Sequence, residues 1–540
     1  MQVPIMHSDG LRRMTIKLSE DNHLTEKNTH QSTLWLVFAF AFAKLVIHFI
    51  ANSNYGIHGD ELYYIALSKH LQWGYLDNSP LIALVAKLSA WCFGKSAFAW
   101  RIFPSLFSAL TVALVGLLTH HLGGKRFAIS VACLGVICSP ALLATSYFLQ
   151  PVAFDIFFWT LLSFLLVKFI QSRKQWYLYS AGLTVGVGVL NKYTIILHMI
   201  AIIAGLLLAP QRKLFSLKCS LKALAICIIV SAPNIIWQIT HHFPIFNYLS
   251  IVSNHSMYPG AKEFLFQLTF FHGAGMAIWL AGLSYMIFSN DGISKYRFLA
   301  IAFLFIVAAL IVLHGKIYYS LGAFPVLFAI GGLCWEKMLQ RFNNFPQALL
   351  KGLIVLTSLI ALPVVLPILP FNTTKAYIQL MRRYTTLTQP FRWDDGKLHS
   401  LPQFYADMLG WQELATKTSH AFKQLNTEQR QQTVILTDAY AVAGALTFYL
   451  PAHSPRVISA DNSLVLWSPR RLKSQNIIYL SRDSMASVSV LADSVKYISS
   501  VNNPDASVQG MNVYFLNNPG TILKRSYKSA SERFLGLEIP

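Results

Sequence analysis

The run His58-Gly59-Asp60-Glu61-Leu62-Tyr63-Tyr64 lies in a long polar and aromatic interruption, Asn52 to Arg101, between two apolar segments. Two adjacent carboxylates a few residues beyond an apolar helix are costly, because paired negative charge is poorly solvated beside a bilayer. They call for water, cations or a substrate at that place. The flanking sequence is too apolar for a soluble domain: 54% of the 540 residues are hydrophobic and 12% are charged, and the mean hydropathy is +0.46. Apolar runs longer than a soluble core helix recur through the first two-thirds, so the chain reads as a polytopic α-helical membrane protein.

About eleven transmembrane helices are expected, near 34–51, 98–121, 127–147, 152–170, 176–191, 194–210, 221–239, 264–288, 297–313, 317–335 and 347–367. Residues 1–33 are polar, carry Arg12, Arg13, Lys17 and Lys27, and precede an apolar run with no small-residue cleavage site. They read as a cytoplasmic tail leading into a signal anchor. The net charge of +21 does not gather on one face or arm, so it points to topology and not to a nucleic-acid partner. Alternate turns carry Lys125-Arg126, Arg173-Lys174, Arg212-Lys213, Lys295 with Arg297, and Lys337 with Arg341, whereas the intervening turns carry the single lysines Lys192, Lys262 and Lys316. The bias predicts a cytoplasmic N-terminus, with the 52–101 loop and everything after about Phe371 outside.

Between Leu34 and Pro370 the acidic residues are Asp60, Glu61, Asp77, Asp155, Glu263, Asp291 and Glu336. On this topology the first five sit at the outer face. A transporter places ionisable groups near the midplane in related halves. No such repeat is visible, so a lipid-linked sugar flippase or exporter is the weaker alternative, and the chemistry belongs to the outer surface.

Within the loop, Leu62, Ile65, Ala66 and Leu71 recur at helical spacing and predict a short interfacial helix from Asp60 to about Trp73. Gly74-Tyr75-Leu76-Asp77-Asn78 reads as a turn, and Ser79-Pro80 as an N-cap with proline at the first helical position of a run to Trp91. Asp60 and Tyr64 are one turn apart and can face one pocket, while Glu61 is rotated by about 100°.

Gly59-Asp60-Glu61-Leu62-Tyr63-Tyr64, followed by Gly74-Tyr75-Leu76-Asp77-Asn78-Ser79-Pro80-Leu81, resembles the first outer loop of C-type membrane glycosyltransferases in the protein O-mannosyltransferase-like group. That group includes the lipid A aminoarabinose transferase. Its members read Asp-Glu, then Tyr-Tyr, then Gly-Tyr-Phe-Asp-His-Pro-Pro-Leu. Phe157-Phe158-Trp159, Lys192-Tyr193-Thr194, Ser231-Ala232-Pro233 through His242, and Gly315-Lys316-Ile317-Tyr318-Tyr319 with Pro325 extend the resemblance over residues 34–335. Two positions depart from it: Val152 stands where many relatives have an aspartate, and Ser79 replaces the first proline of a pair.

The resemblance implies transfer of a sugar from a polyprenyl-phosphate donor to a lipid, glycan or protein acceptor, at the outer face of a bacterial inner membrane. A polymerase or ligase that consumes diphosphate-linked oligosaccharide is a further alternative. In such enzymes the first-loop aspartate, here Asp60, is the general base that takes the acceptor hydroxyl proton, with Glu61 beside it. The leaving phosphate needs charge stabilisation, which nominates Lys192, Lys316 and Arg101. Tyr64, Asp77, Asp155 and Tyr318 are the remaining candidate substrate contacts.

No cofactor is called for: His241-His242 near His255 and His272 could gather around a divalent ion, but they lack the spacing of a metal site. Gly182, Gly186 and Gly188 lie within an apolar run without a preceding strand and read as helix-packing glycines. The six cysteines all precede the exported tail, so no disulfide framework supports it. Residues 371–540 alternate strand patterns (433–437, 456–459, 476–480, 495–499 and 512–516) with helical stretches at 402–425, 439–449 and 485–492, and predict a small extracytoplasmic α/β domain. No catalytic motif stands out in it.

Overall fold

The computed structural model describes residues 31–255, 260–384 and 391–536. Helices cover most of each of the eleven expected apolar segments. Among the described residues seven helices are long and apolar enough to cross a membrane, namely Gln31–Asn52, Ala97–His121, Pro151–Ser172, Leu217–Thr240, Gly292–Val312, Ile317–Leu339 and Asn344–Val365. Ala261–Phe270 and Gly273–Phe288, bent by 99° at their break, form an eighth as a pair. The protein is an integral membrane protein.

The other three, Arg126–Ile137, Trp176–Asn191 and Thr194–Leu208, have 12, 16 and 15 residues. They rise about 18–24 Å, short of a hydrocarbon core of about 30 Å. Where one span was expected over 127–147, the helix stops at Ile137 and restarts as Pro140–Ala144. Proline has no N–H to continue the ladder, and the Ser139 hydroxyl instead accepts from the Leu142 N–H at 3.2 Å.

Close helix contacts rest on glycine. A Cβ on Gly182 would lie 2.2 Å from the Ala223 carbonyl oxygen, and one on Gly331 would lie 2.0 Å from that of Ile278. These positions let Trp176–Asn191 lie against Leu217–Thr240, and Phe324–Leu339 against Met276–Phe288.

The loop between the first two long helices is shorter in helix than its periodicity predicts. The helix covers Gly59–Leu67 and ends at Ser68, whose hydroxyl donates to the Ile65 carbonyl at 2.6 Å. The next helix is Leu81–Phe93, and its cap is Pro80, not Ser79.

Past Pro370 the chain forms the helix Phe371–Tyr384 and then a five-stranded sheet. Its strands are β1 (Thr433–Thr437), β2 (Val457–Ile458), β3 (Asn476–Ser481), β4 (Ala492–Ser500) and β5 (Asn512–Pro519), in the order β2-β1-β3-β5-β4. β1 runs parallel to β2 and β3, whereas β5 is antiparallel to β3 and β4. The helix expected over 402–425 is broken into Gln403–Ala406 and Trp411–Lys423 by Gly410, which adopts φ +84°. The helix expected to reach Ala492 stops at Ser489, and Ala492 opens β4.

The two-residue period of the strands divides the sheet's apolar side chains between two cores. Leu436, Ile477, Tyr479, Tyr514 and Leu516 pack with Leu523 and Tyr527 of the helix Thr521–Leu535. Ile435, Ile478, Leu480 and Val513 face the other way, where Val442 and Leu446 of the helix Tyr440–Tyr449 join Leu62, Ile65 and Trp100 of the membrane part. One continuous core therefore ties the sheet to the carboxylate loop. Gly444 makes this contact possible, because a Cβ there would lie 2.8 Å from the Leu62 backbone.

Candidate active site

The Gly59–Leu67 helix is oriented by Glu61. Its carboxylate accepts from the His58 N–H at 2.8 Å, while His58 Nδ1 accepts from the Asp60 N–H at 3.1 Å, closing a capping box. The same carboxylate takes Arg101 Nε at 3.0 Å, Arg101 Nη2 at 2.7 Å and the Leu149 N–H at 2.9 Å. Arg101 is fully buried. Its remaining donors go to the carbonyls of Asn52 and Gly56 and to the Tyr147 hydroxyl, and its guanidinium lies 4.3 Å from the Tyr147 ring centre. With Glu61 locked inward, the helical rotation turns Asp60 and Tyr64 the other way.

They face a pocket of about 260 Å³ whose walls also hold Asp77, Lys192, Lys316 and Tyr318. Six of the residues singled out in the sequence thus meet at one place although they come from four separate stretches of chain. Three do not line it: Glu61 and Arg101 form the buried pair behind the helix, and Asp155 stands on the Pro151–Ser172 helix. There Asp155 accepts from Trp159 Nε1 at 2.9 Å and from the Thr194 hydroxyl at 2.7 Å, and its charge acts on Lys192. Lys192 is held over the rings of Tyr318 and Tyr319, at 5.0 and 4.8 Å from their centres.

The remaining wall comes from the C-terminal region. The Tyr440 hydroxyl donates to Asp60 Oδ1 at 2.8 Å, and the Tyr440 N–H donates to Asp461 Oδ2 at 2.8 Å. The Asp60 charge, more than burial, holds the Tyr440 phenol well above its ordinary range. Asp77 accepts from the Tyr63 hydroxyl at 2.8 Å, from Asn78 Nδ2 at 2.7 Å and from the Ser463 hydroxyl. Ser463 Oγ in turn accepts from the Leu76 N–H at 3.0 Å. Burial raises the Asp77 pKa, and these bonds partly offset it. Asp461 is pushed up to about 7, by burial first and then by the nearby charges of Asp77 and Asp438.

Tyr440, Asn462 and Ser463 have no signature in the sequence. The bond from Tyr440 to Asp60 spans 380 positions, and only the packing of the Tyr440–Tyr449 helix on the loop helix reveals it. Among the described residues no group of three or more His, Cys, Asp or Glu side chains is arranged to hold a metal ion. The pocket combines a carboxylate that can take a proton with two cations that can hold an anion, in a wall rich in tyrosine.

Residues 77–237 match the family model of dolichyl-phosphate-mannose-protein mannosyltransferases. A crystal structure of ArnT from Cupriavidus metallidurans bound to undecaprenyl phosphate superposes with a TM-score of 0.59 at 14% identity, over 89% of this chain and 97% of that one. The apo structure of the same protein gives a TM-score of 0.58 at 12% identity, over 90% and 98% of the two chains. A search of curated proteins gives no match.

Proposed function

We propose that this chain, whose residues 77–237 match the mannosyltransferase family model and whose fold is similar to that of ArnT, is a C-type membrane glycosyltransferase of the protein O-mannosyltransferase-like and aminoarabinose transferase-like group and moves a sugar from a polyprenyl-phosphate donor to an acceptor hydroxyl. The observation that carries the reading is the meeting of Asp60, Lys192 and Lys316 in one pocket at the ends of the membrane helices. The donor phosphate lies against Lys192 and Lys316, and the acceptor hydroxyl lies against Asp60. The acceptor oxygen forms a bond to the anomeric carbon while the bond from that carbon to the phosphate oxygen breaks. The electron pair leaves with the phosphate, where the two cations stabilise it, and the hydroxyl proton passes to Asp60.

Glu61 and Arg101 act through position: their buried pair fixes the helix that presents Asp60. The basic turns support a reaction at the outer face with the N-terminus cytoplasmic, and the resemblance supports a bacterial inner membrane. The test is to incubate the purified full-length protein in lipid with a panel of radiolabelled polyprenyl-phosphate sugars and follow release of free carrier phosphate. Release that depends on Asp60 supports the reading, and absence of release from every donor in the panel overturns it.

A further inference from the structure

Asp60 and Tyr440 border a second cavity, of about 680 Å³, between the loop helix and the C-terminal region. Its size falls in the range of small-molecule sites. Its lining is more acidic than that of the first pocket: besides the shared Asp60, the first holds Asp77 with Lys192 and Lys316, whereas the second holds Asp394, Asp395, Asp407, Asp438, Asp461 and Asp505 against Arg482. A base shared by two cavities, one with two lysines and one mainly acidic, separates a phosphate-bearing substrate from another kind.

The carboxylates are anchored with accepting capacity left over. Asp438 Oδ2 accepts from the Tyr479 hydroxyl at 2.6 Å, Asp461 Oδ2 from the Tyr440 N–H at 2.8 Å, and Asp60 Oδ1 from the Tyr440 hydroxyl at 2.8 Å. A carboxylate offers about four lone-pair sites. Among the described residues none of these three forms an ion pair, whereas Asp395, Asp407 and Asp505 on the same cavity have His399, His58 and Lys375. Burial together with neighbouring negative charge raises the Asp438 and Asp461 pKa values. The uncompensated groups therefore face a space that rewards hydroxyl or ammonium donors and penalises a further anion. Trp393, with its ring stacked on His399 at 3.6 Å between centres, and Gln403 add the flat apolar and amide surfaces that suit a sugar ring.

We propose that this cavity is the acceptor site, and that the acceptor is a saccharide without phosphate, neutral or amine-bearing, whose hydroxyl or ammonium groups meet Asp438 and Asp461 while the reacting hydroxyl meets Asp60. The inference rests on the transferase reading above. The bond changes are those already given: the saccharide oxygen joins the anomeric carbon, its proton goes to Asp60, and the donor phosphate departs with the electron pair toward the lysines.

The test uses the full-length protein in phosphatidylcholine nanodiscs with the radiolabelled polyprenyl-phosphate donor panel. Methyl glycosides of a hexose and a hexosamine, their 6-phosphates, and a serine/threonine peptide are supplied in turn. Acceptor-stimulated carrier release and labelled product are both measured. Stimulation by the unphosphorylated glycosides, with the 6-phosphates at least tenfold weaker in kcat/KM, is expected. The Asp438→Asn and Asp461→Asn variants are expected to narrow that gap by lowering KM for the phosphates. Asp60-dependent release in which the 6-phosphates or the peptide serve as well as the free glycosides overturns the acceptor assignment and leaves the transferase reading standing. Absence of release from any donor overturns both.

Discussion

The Tyr440 hydroxyl reaches across 380 positions of sequence to donate a 2.8 Å hydrogen bond to the Asp60 carboxylate. The C-terminal region is thereby part of the pocket wall and not a remote cap. A donor on the proposed base fixes the rotamer of its carboxylate and leaves the other oxygen for the acceptor proton. Hydrogen bonds to charged groups contribute about 1.5–3 kcal/mol. Tyr440→Phe is therefore expected to lower kcat by about tenfold or more, with carrier-phosphate binding unchanged. Wild-type turnover in this variant counts against the positioning role.

Asp60→Asn keeps the size of the side chain and can still pair with Tyr440, but it removes the base. Turnover at saturating donor should fall by about 10²–10⁴, while donor binding persists. Full turnover would falsify the mechanism.

Glu61→Gln acts by a different route. Glu61 and Arg101 are both fully buried and joined at 2.7 Å, so weakening one partner leaves an uncompensated charge, a change that typically costs about 3–5 kcal/mol. The expected signature is a marked loss of thermal stability in detergent, with the protein that remains folded turning over far better than Asp60→Asn. A stable but inactive Glu61→Gln protein would instead place Glu61 in the chemistry.

Lys192→Met and Lys316→Met each remove one cation from the pocket while keeping most of the apolar stem. Each should weaken carrier-phosphate binding by about tenfold, as expected for loss of a charge-assisted contact of roughly 1.5 kcal/mol. Unchanged affinity in both variants rules out the phosphate assignment.

Asp461 carries a pH dependence whose sign follows from its environment. Its folded pKa, about 7, is raised above the value of about 3.9 for an unfolded aspartate. Between those values the native state binds more protons, so the group's contribution is fully present below about pH 4 and is lost as the pH rises through 7. Asp461→Asn, which retains an acceptor for the Tyr440 N–H, should flatten the fall of Tm between pH 5 and pH 7.5. An unchanged slope would show that other groups set it.

The topology is checked by a reporter fused after Pro370 that is active only in the cytoplasm. It should be silent, and a bright signal would move the pocket to the other side.

The sequence alone determined the class of fold and much of the pocket's cast. Apolar runs declare membrane helices because the bilayer tolerates little else. The strand-helix alternation after Phe371 was readable to within a few residues, since β1 and most of β3 show continuous apolar patterns. Asp60 and Tyr64 on one face, with Glu61 turned away, followed from the 3.6-residue period. Local pattern misplaced element ends where a single residue decided them, as at Pro140 and Gly410. Only the tertiary structure decided which charges are free. Arg101 and Lys192 look alike in sequence as cations near helix ends, but one is spent on Glu61 and the other is held over two tyrosine rings facing the pocket. The same holds for Tyr440, Asp461 and Ser463, whose positions against Asp60 and Asp77 follow from how the sheet's second apolar face packs onto the loop helix. Periodicity records which face of an element is apolar, whereas the partner that covers the face is set by long-range packing.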